Sequence, residues 1–363
     1  MVVNVIAERR LSNQLLSRRG LLRPADVVSW FGAVQAQEYE AAKWALGLRM
    51  RSGALDAHVE RSFERGQILR THVMRPTWHF VSAADIRWLL ELTAPRVQRI
   101  TAVYNRHLEL DARTLARGIT IIERALGDRT YLTRLELAEE LRRRDLSMAG
   151  QRLAQLMMHA ELEGVICSGP RRGKQHTYAL LAERAPKAAR LSRDEALATL
   201  SRRYFRSHGP ATIRDFVWWS GLTSADAKRG LEMNRARPEE SDRRTYWTIN
   251  DASRRPVARE QMVNLLPIYD EYLVAYRDRD AVPHGPLVID SGARTVNFQH
   301  ALVINGQVAG TWRPKRQAKS VLIRAVPLRR LTGEERRAAG ETARHYERFL
   351  SVPVELLFAG RSS

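Results

Sequence analysis

The chain has 363 residues, enough for two or three small domains with a well-buried core. Its 60 Lys and Arg against 40 Asp and Glu leave a formal net charge of +20, which draws polyanions to the surface. A single cysteine, Cys167, excludes an internal disulfide and any cysteine-cluster metal site, and no apolar stretch approaches the roughly 20 residues of a membrane span.

Nucleic acid is the commonest large polyanion, and a generally basic protein with scattered surface arginines is the alternative. Only Lys43, Lys174, Lys187, Lys228, Lys315 and Lys319 are lysines, so the positive charge is carried almost wholly by arginine. Arginine grips phosphate bidentately, although GC-rich coding produces the same bias. The N-terminus, Met1 to Arg10, places its charges after a short apolar run, unlike a signal peptide. The expectation is a soluble, cytoplasmic chain.

The first helix is expected over residues 8 to about 19, with Leu11, Leu15 and Leu16 on one face. A second begins at Pro24, with proline in its first turn, and is expected to end near Gly32 in Gln35-Ala36-Gln37. If Ala36 faces inward, the two glutamines converge on one small volume. Each amide offers one acceptor oxygen and two donor hydrogens, so the pair can hold a water without ionising. Polar residues finishing a helix are the plainer reading. Helices are expected over 37–46 and 55–65. The β-rich runs 68–73 and 77–81 then flank a turn at Arg75-Pro76, which makes a hairpin after helices. Residues 84–126 read as helical linkage, broken at Pro95 and around Asp111.

A second unit opens with the capping-box sequence Thr133-Arg134-Leu135-Glu136, followed by helices to Arg144 and over 148–161. Strands 165–168 and 176–180 flank the basic tip Gly169-Pro170-Arg171-Arg172-Gly173-Lys174, which suits phosphate contact or is a solvated loop. A third unit follows Ala185-Pro186, with helices over 194–205, 212–219 and 223–231 joined through a glycine turn at Ser220-Gly221-Leu222, and a strand over 245–249. The C-terminal part carries strands around Val288 and over 301–304, 308–312 and 321–323. Asn305-Gly306 is a type I′ hairpin signal, the basic run Arg313 to Lys319 follows, and a helix spans Thr332 to about Leu350.

The expected fold is mainly α with small β-hairpin wings (α+β): three tandem winged helix-turn-helix units plus a C-terminal β-rich segment and helix. The units are bounded at 1–126, 127–185, 186–260 and 261–363.

Four stretches in this order carry a resemblance: Gln35-Ala36-Gln37, Arg70 to Val81 (RTHVMRPTWHFV), Leu265 to Leu273 (LLPIYDEYL) and Gly306 to Arg313 (GQVAGTWR). Together they resemble the AlkZ-like winged-helix DNA glycosylases, bacterial enzymes with a glutamine-x-glutamine active-site motif, associated with self-resistance to the crosslinker azinomycin. The resemblance spans nearly the whole chain. It implies Gln35 and Gln37 as catalytic residues, no cofactor or metal, and a monomer acting on double-stranded DNA with alkylated bases, interstrand crosslinks among the candidate substrates, in the nucleoid rather than at a membrane.

An amide cannot take a proton at neutral pH, so such a pair orients water without general-base catalysis. That suits an activated leaving group, such as an N7-alkylated purine that departs as a neutral base. Asp270, Glu271 and His79 are candidate supporting residues. For the carboxylates, ion pairing with arginine is the commoner role, and for the histidine a structural hydrogen bond. Candidate DNA contacts are Arg75, Arg171, Arg172, Lys174, Arg313, Lys315, Arg316 and Lys319. A lysine is missing from the motif, so Schiff-base lyase chemistry is not expected. A non-enzymatic winged-helix regulator, or a family member without activity, is the rival reading.

Overall fold

The structure is a computed structural model and describes residues 5–17, 20–51, 53–241, 243–249, 262–282, 289–290, 296–297 and 299–359. The junction at 250–261 and Val288 itself lie outside the described residues, while the strand expected around Val288 is present at Ile289–Asp290, paired antiparallel with Val296–Asn297.

The N-terminal helices Val5–Asn13, Pro24–Phe31, Tyr39–Gly47 and Asp56–Glu64 lead into a hairpin of strands Ile68–Val73 and Arg75–Ser82. The glutamines do not end a helix. The second helix stops at Phe31, and Gly32 turns the chain at φ 92°, a conformation a side chain would resist. Val34–Gln35 then forms a short strand at the hairpin's edge, giving the strand order 34–35, 75–82, 68–73. Helical spacing upstream concealed this change of period.

Helix Ile86–His107 runs unbroken through Pro95. Pro95 lies on the exposed side, where the carbonyl it leaves unpaired can meet water, while Leu92, Thr93, Ala94 and Val97 pin the helix on its buried side. The expected break at Asp111 is present: its side chain caps helix Ala112–Ala125 by accepting from Thr114 N–H at 2.7 Å.

The second unit, helices Arg134–Arg142 and Gly150–Leu162 with strands Ile166–Ser168 and Thr177–Leu180, encloses its own core of Leu137, Leu141, Leu156 and Ile166. The capping box at Thr133 and Glu136 is formed. The third unit adds helices Arg193–Ser207, Ile213–Ser220 and Ser224–Met233 and a hairpin of Arg237–Ser241 with Arg244–Thr248. At the C-terminus the spatial order of five strands is 354–358, 321–327, 307–316, 301–304, 263–266. Asn305 and Gly306 turn the hairpin with φ of 48° and 80°, both positive as a type I′ turn requires. Strand Val354–Phe358 adds in parallel beyond helix Gly333–Leu350.

Two larger cores cross the sequence units. In the first, Phe31, Trp44 and Phe63 pack with Leu265, Leu302, Trp312 and Phe349, so the N-terminal helices rest on the C-terminal sheet. In the second, Ala33, Leu69, Val73 and Trp88 pack with Leu197, Phe216, Trp219 and Tyr276. The strand carrying Gln35 lies between them, with Val34 and Ala36 in the first core and Ala33 in the second.

Arg49 and Asp270 clamp this junction, with Nη2–Oδ1 at 2.7 Å and Nη1–Oδ2 at 2.8 Å, both side chains essentially without solvent. Removing one partner strands a buried charge. Arg49→Met should therefore cost about 3–5 kcal/mol by denaturant unfolding, and pairing it with Asp270→Leu should recover most of that loss. A cost under about 1 kcal/mol for the single change would show that the clamp contributes little.

Candidate active site

Strand alternation decides what the motif presents. Gln35 stands opposite His79 in register, and His79 stands opposite Thr71, so these three side chains form a polar row on one face of the sheet. Val34 and Ala36 face the other way into the core, which directs Gln35 and Gln37 to the same side.

The main chain of the motif is fastened on both sides. Gln35 N–H donates to Glu271 Oε1 at 2.7 Å, and Ala36 N–H donates to Trp78 O at 2.7 Å. The Arg70 guanidinium donates to Ala36 O at 2.9 Å and to Gln37 O at 3.3 Å, while lying 4.2 Å from the centre of the Trp78 ring. Each glutamine side chain has a partner as well. Gln35 Oε1 accepts from Arg75 Nη2 at 2.9 Å, and Gln37 Oε1 accepts from Trp78 N–H at 3.3 Å. Gln35 is 8% exposed and Gln37 more so.

Glu271 is fully buried. Its Oε2 accepts from Trp219 Nε1 at 2.9 Å and from His208 Nε2 at 3.3 Å. Burial alone would raise its carboxyl, but the hydrogen bond and charge of His208, the Gln35 N–H and the charge of Arg75 bring it below the usual carboxylate range. Glu271 is thus an ionised carboxylate committed to holding the strand of Gln35. Asp270 is committed to Arg49 and to Tyr272 N–H, which it caps at 2.9 Å. The two acids named from the sequence diverge: Glu271 reaches the glutamines and Asp270 fastens the scaffold behind them.

His79 is buried, with Nδ1 2.9 Å from Thr77 O. Burial, reinforced by the Arg75 charge, pushes its pKa down to about 3, so the imidazole is neutral. Its Nε2, Thr71 Oγ1, Thr77 Oγ1 and Arg75 Nε are buried with no partner among the described residues. Polar atoms in this situation are ordinarily satisfied by ordered water.

The candidate DNA contacts separate into two groups. Arg313, Lys315, Arg316 and Lys319 lie along one strand and its tip, largely open to solvent, with Arg316 only 3.6 Å from Glu40. Lys174 is exposed on the second unit's tip. Arg172 is half-exposed but paired with Glu136 at 2.7 Å. Arg171 is drawn inward to Glu40 at 3.3 Å and Glu60 at 3.4 Å, its guanidinium 4.7 Å from the Tyr39 ring centre. Arg75 is turned into the site. Lys43 is also taken: Asp56, Glu60 and Glu40 lie within 3.0 Å of its ammonium. Against the cost of burial they raise its pKa, so it stays protonated and cannot serve as an amine nucleophile.

Sequence reasoning missed Arg70 as an anchor and Trp219 and His208 as partners of Glu271. No local signal marks them, because each is defined by a contact made across the fold.

Residues 28–349 match the family described as DNA glycosylase AlkZ-like. The chain belongs to the AlkZ-like DNA glycosylase family. A relative from Streptomyces sahachiroi, described as an interstrand DNA cross-link repair glycosylase, is 26% identical over 333 residues, covering 84% of this chain and 85% of the relative. The structure of the DNA glycosylase AlkZ from the same organism superposes with a TM-score of 0.76 at 21% identity, covering 98% of this chain and 99% of that one, so the fold is shared from end to end. The enzyme is a DNA glycosylase, and the regulator reading is set aside. No helix among the described residues is long and apolar enough to cross a membrane.

The histidines of this glycosylase set an acid limit. The unfolded His79 takes a proton below its ordinary 6.5, whereas the folded one resists until about 3, so its contribution is complete above 6.5 and is lost as pH falls toward 3. His176 and His300, both pushed down to about 4 mainly by burial, act in the same direction. At pH 5 His79 alone should cost about 2 kcal/mol relative to pH 7. His79→Asn should lose about that much less between the two pH values by denaturant unfolding. An identical pH dependence in the variant would contradict this.

Proposed function

We propose that this glycosylase hydrolyses the N-glycosidic bond of cationic N-alkylated purines in duplex DNA, with water positioned by Gln35 and Gln37. One observation carries the reading. Glu271, the carboxylate in contact with the motif, is spent on Gln35 N–H, Trp219 and His208, and Asp270 behind it on Arg49, which leaves two oriented amides to meet the water. A site without a free base suits a substrate that is already activated. In an N7-alkylguanosine the C1′–N9 bond breaks with its electron pair passing to the cationic base, which leaves neutral. Water forms the C1′–O bond on the oxocarbenium-like carbon and releases a proton to solvent, leaving an abasic site. The protonated state of Lys43 supports a monofunctional enzyme that stops there.

The relative's description as a cross-link repair glycosylase supports extending the substrate range to bulky adducts and interstrand crosslinks. The three helix-and-hairpin units bounded at 1–126, 127–185 and 186–260, with the C-terminal part 261–363, act in this reading as winged helices and a clamp on the duplex. The enzyme works as a monomer on the nucleoid, in the cytoplasm. Arg313, Lys315, Arg316 and Lys319 supply phosphate contacts, with Lys174 and Arg172 on the second unit.

Single-turnover release of N7-methylguanine from a duplex tests the chemistry. Gln35→Ala or Gln37→Ala should each slow excision by about 1–3 kcal/mol of transition-state stabilisation, the scale of one unsatisfied polar group, and the double change should cost less than the sum. Wild-type rates in both variants would reduce the motif to structure. Binding is tested separately. Lys315→Gln with Lys319→Gln should flatten the slope of log K against log salt by about 0.9 for each phosphate that is no longer neutralised. An unchanged slope would remove this strand from the interface.

A further inference from the structure

We propose that Arg75 is a positioning residue of this glycosylase: its guanidinium locks the orientation of the Gln35 amide, and it is not a phosphate ligand. The inference rests on the reading of Gln35 as one of the two water-positioning residues, and it makes the two glutamines unequal.

A guanidinium only donates, so the atom 2.9 Å from Arg75 Nη2 must be the oxygen of the Gln35 amide. The flipped amide would set its NH2 against a donor, which a buried site cannot tolerate. The NH2 of Gln35 is therefore turned away from Arg75, and the amide is polarised by a charge held against its oxygen. The oxygen of Gln37 meets the Trp78 main-chain N–H at 3.3 Å, a longer and uncharged contact. Gln35 is the rigid member of the pair and Gln37 the adaptable one.

The setting of Arg75 explains why it is not spent on DNA. A phosphate-gripping arginine presents an open fork to solvent. Here the side chain is half-buried, Nη2 is taken by Gln35, the Nε is buried without a partner among the described residues, and burial lowers the guanidinium pKa against the opposing pull of Glu271. The carboxylate oxygens of Glu271 accept from Gln35 N–H, Trp219 and His208, so it balances the charge of Arg75 without taking its fork. One carboxylate thus fixes the backbone of Gln35 and compensates the cation that fixes its side chain.

The experiment is single-turnover excision of N7-methylguanine, at saturating enzyme, with DNA affinity measured over a range of salt. Arg75→Ala should slow the saturated rate by about tenfold or more while Kd stays within about twofold and the salt slope is unchanged. Added guanidinium ion at millimolar concentration should restore part of the rate. Lysine, a point charge without the planar fork, should not substitute. An unchanged saturated rate, with weaker binding and a salt slope lower by about one phosphate contact, would overturn the proposal.

Should Arg75→Ala not fold, Gln35→Glu and Gln37→Glu in the intact protein decide the matter. A carboxylate at 35 is paired with Arg75 and stays ionised, so its rate per folded molecule should be flat from pH 8 down to about pH 4. A carboxylate at 37 meets only a main-chain N–H and should show an acid limb. The same limb in both would overturn the lock. A wild type that releases no base sinks the underlying reading of the site, whereas an active wild type matched by Arg75→Ala sinks this inference alone.

Discussion

A single buried carboxylate ties the site together. Glu271 lies 236 residues from Gln35 in sequence, yet its Oε1 accepts the Gln35 N–H and its Oε2 the indole of Trp219 and the imidazole of His208. Charge in a solvent-free interior is costly unless fully hydrogen-bonded. Here three donors meet that demand, one from the motif and two from the third unit. In meeting it they bring the third unit, the C-terminal part and the motif strand to one point.

The consequence for chemistry is a division of labour. Ionised groups hold the motif strand, and in the proposed mechanism the neutral amides of Gln35 and Gln37 face the reaction. Acidic side chains elsewhere serve as hydrolytic bases because they are free to take a proton. Glu271, the carboxylate in contact with the motif, is not: Gln35 N–H, Trp219 and His208 hold it ionised. The same economy appears on the outer surface. Arg171 is neutralised by Glu40 and Glu60 and Arg172 by Glu136, so the large net charge overstates the cations open to a polyanion.

Much of the fold was legible because it is written locally. Thr133 with Glu136 and Asn305-Gly306 satisfy their own backbone within a few residues and formed where they were expected, and the helix expected from Thr332 begins there, capped by Thr332 and Glu335. Errors arose where distant packing outweighs local preference. The apolar spacing of Pro24–Phe31 did not foretell that Val34–Gln35 would join a hairpin formed some 40 residues later, nor did Pro95 break a helix whose buried face is secured elsewhere. Gln35, Gln37 and Glu271 were visible as residue types in a recognisable pattern. Their geometry was not, because Arg70, Trp219 and His208 gain their roles only after the chain has closed on itself.

Hydrolysis without a titrating base leaves a signature in the pH dependence of single-turnover excision by the wild-type enzyme. N7-methylguanine in duplex DNA is the substrate, with the folded fraction followed in parallel. The rate should stay level from about pH 5.5 to 8, since glutamine does not ionise and Glu271 is held below that window. A rate of the folded enzyme that falls along an acid limb within that window would place a working carboxylate or histidine at the site and contradict the two-amide mechanism.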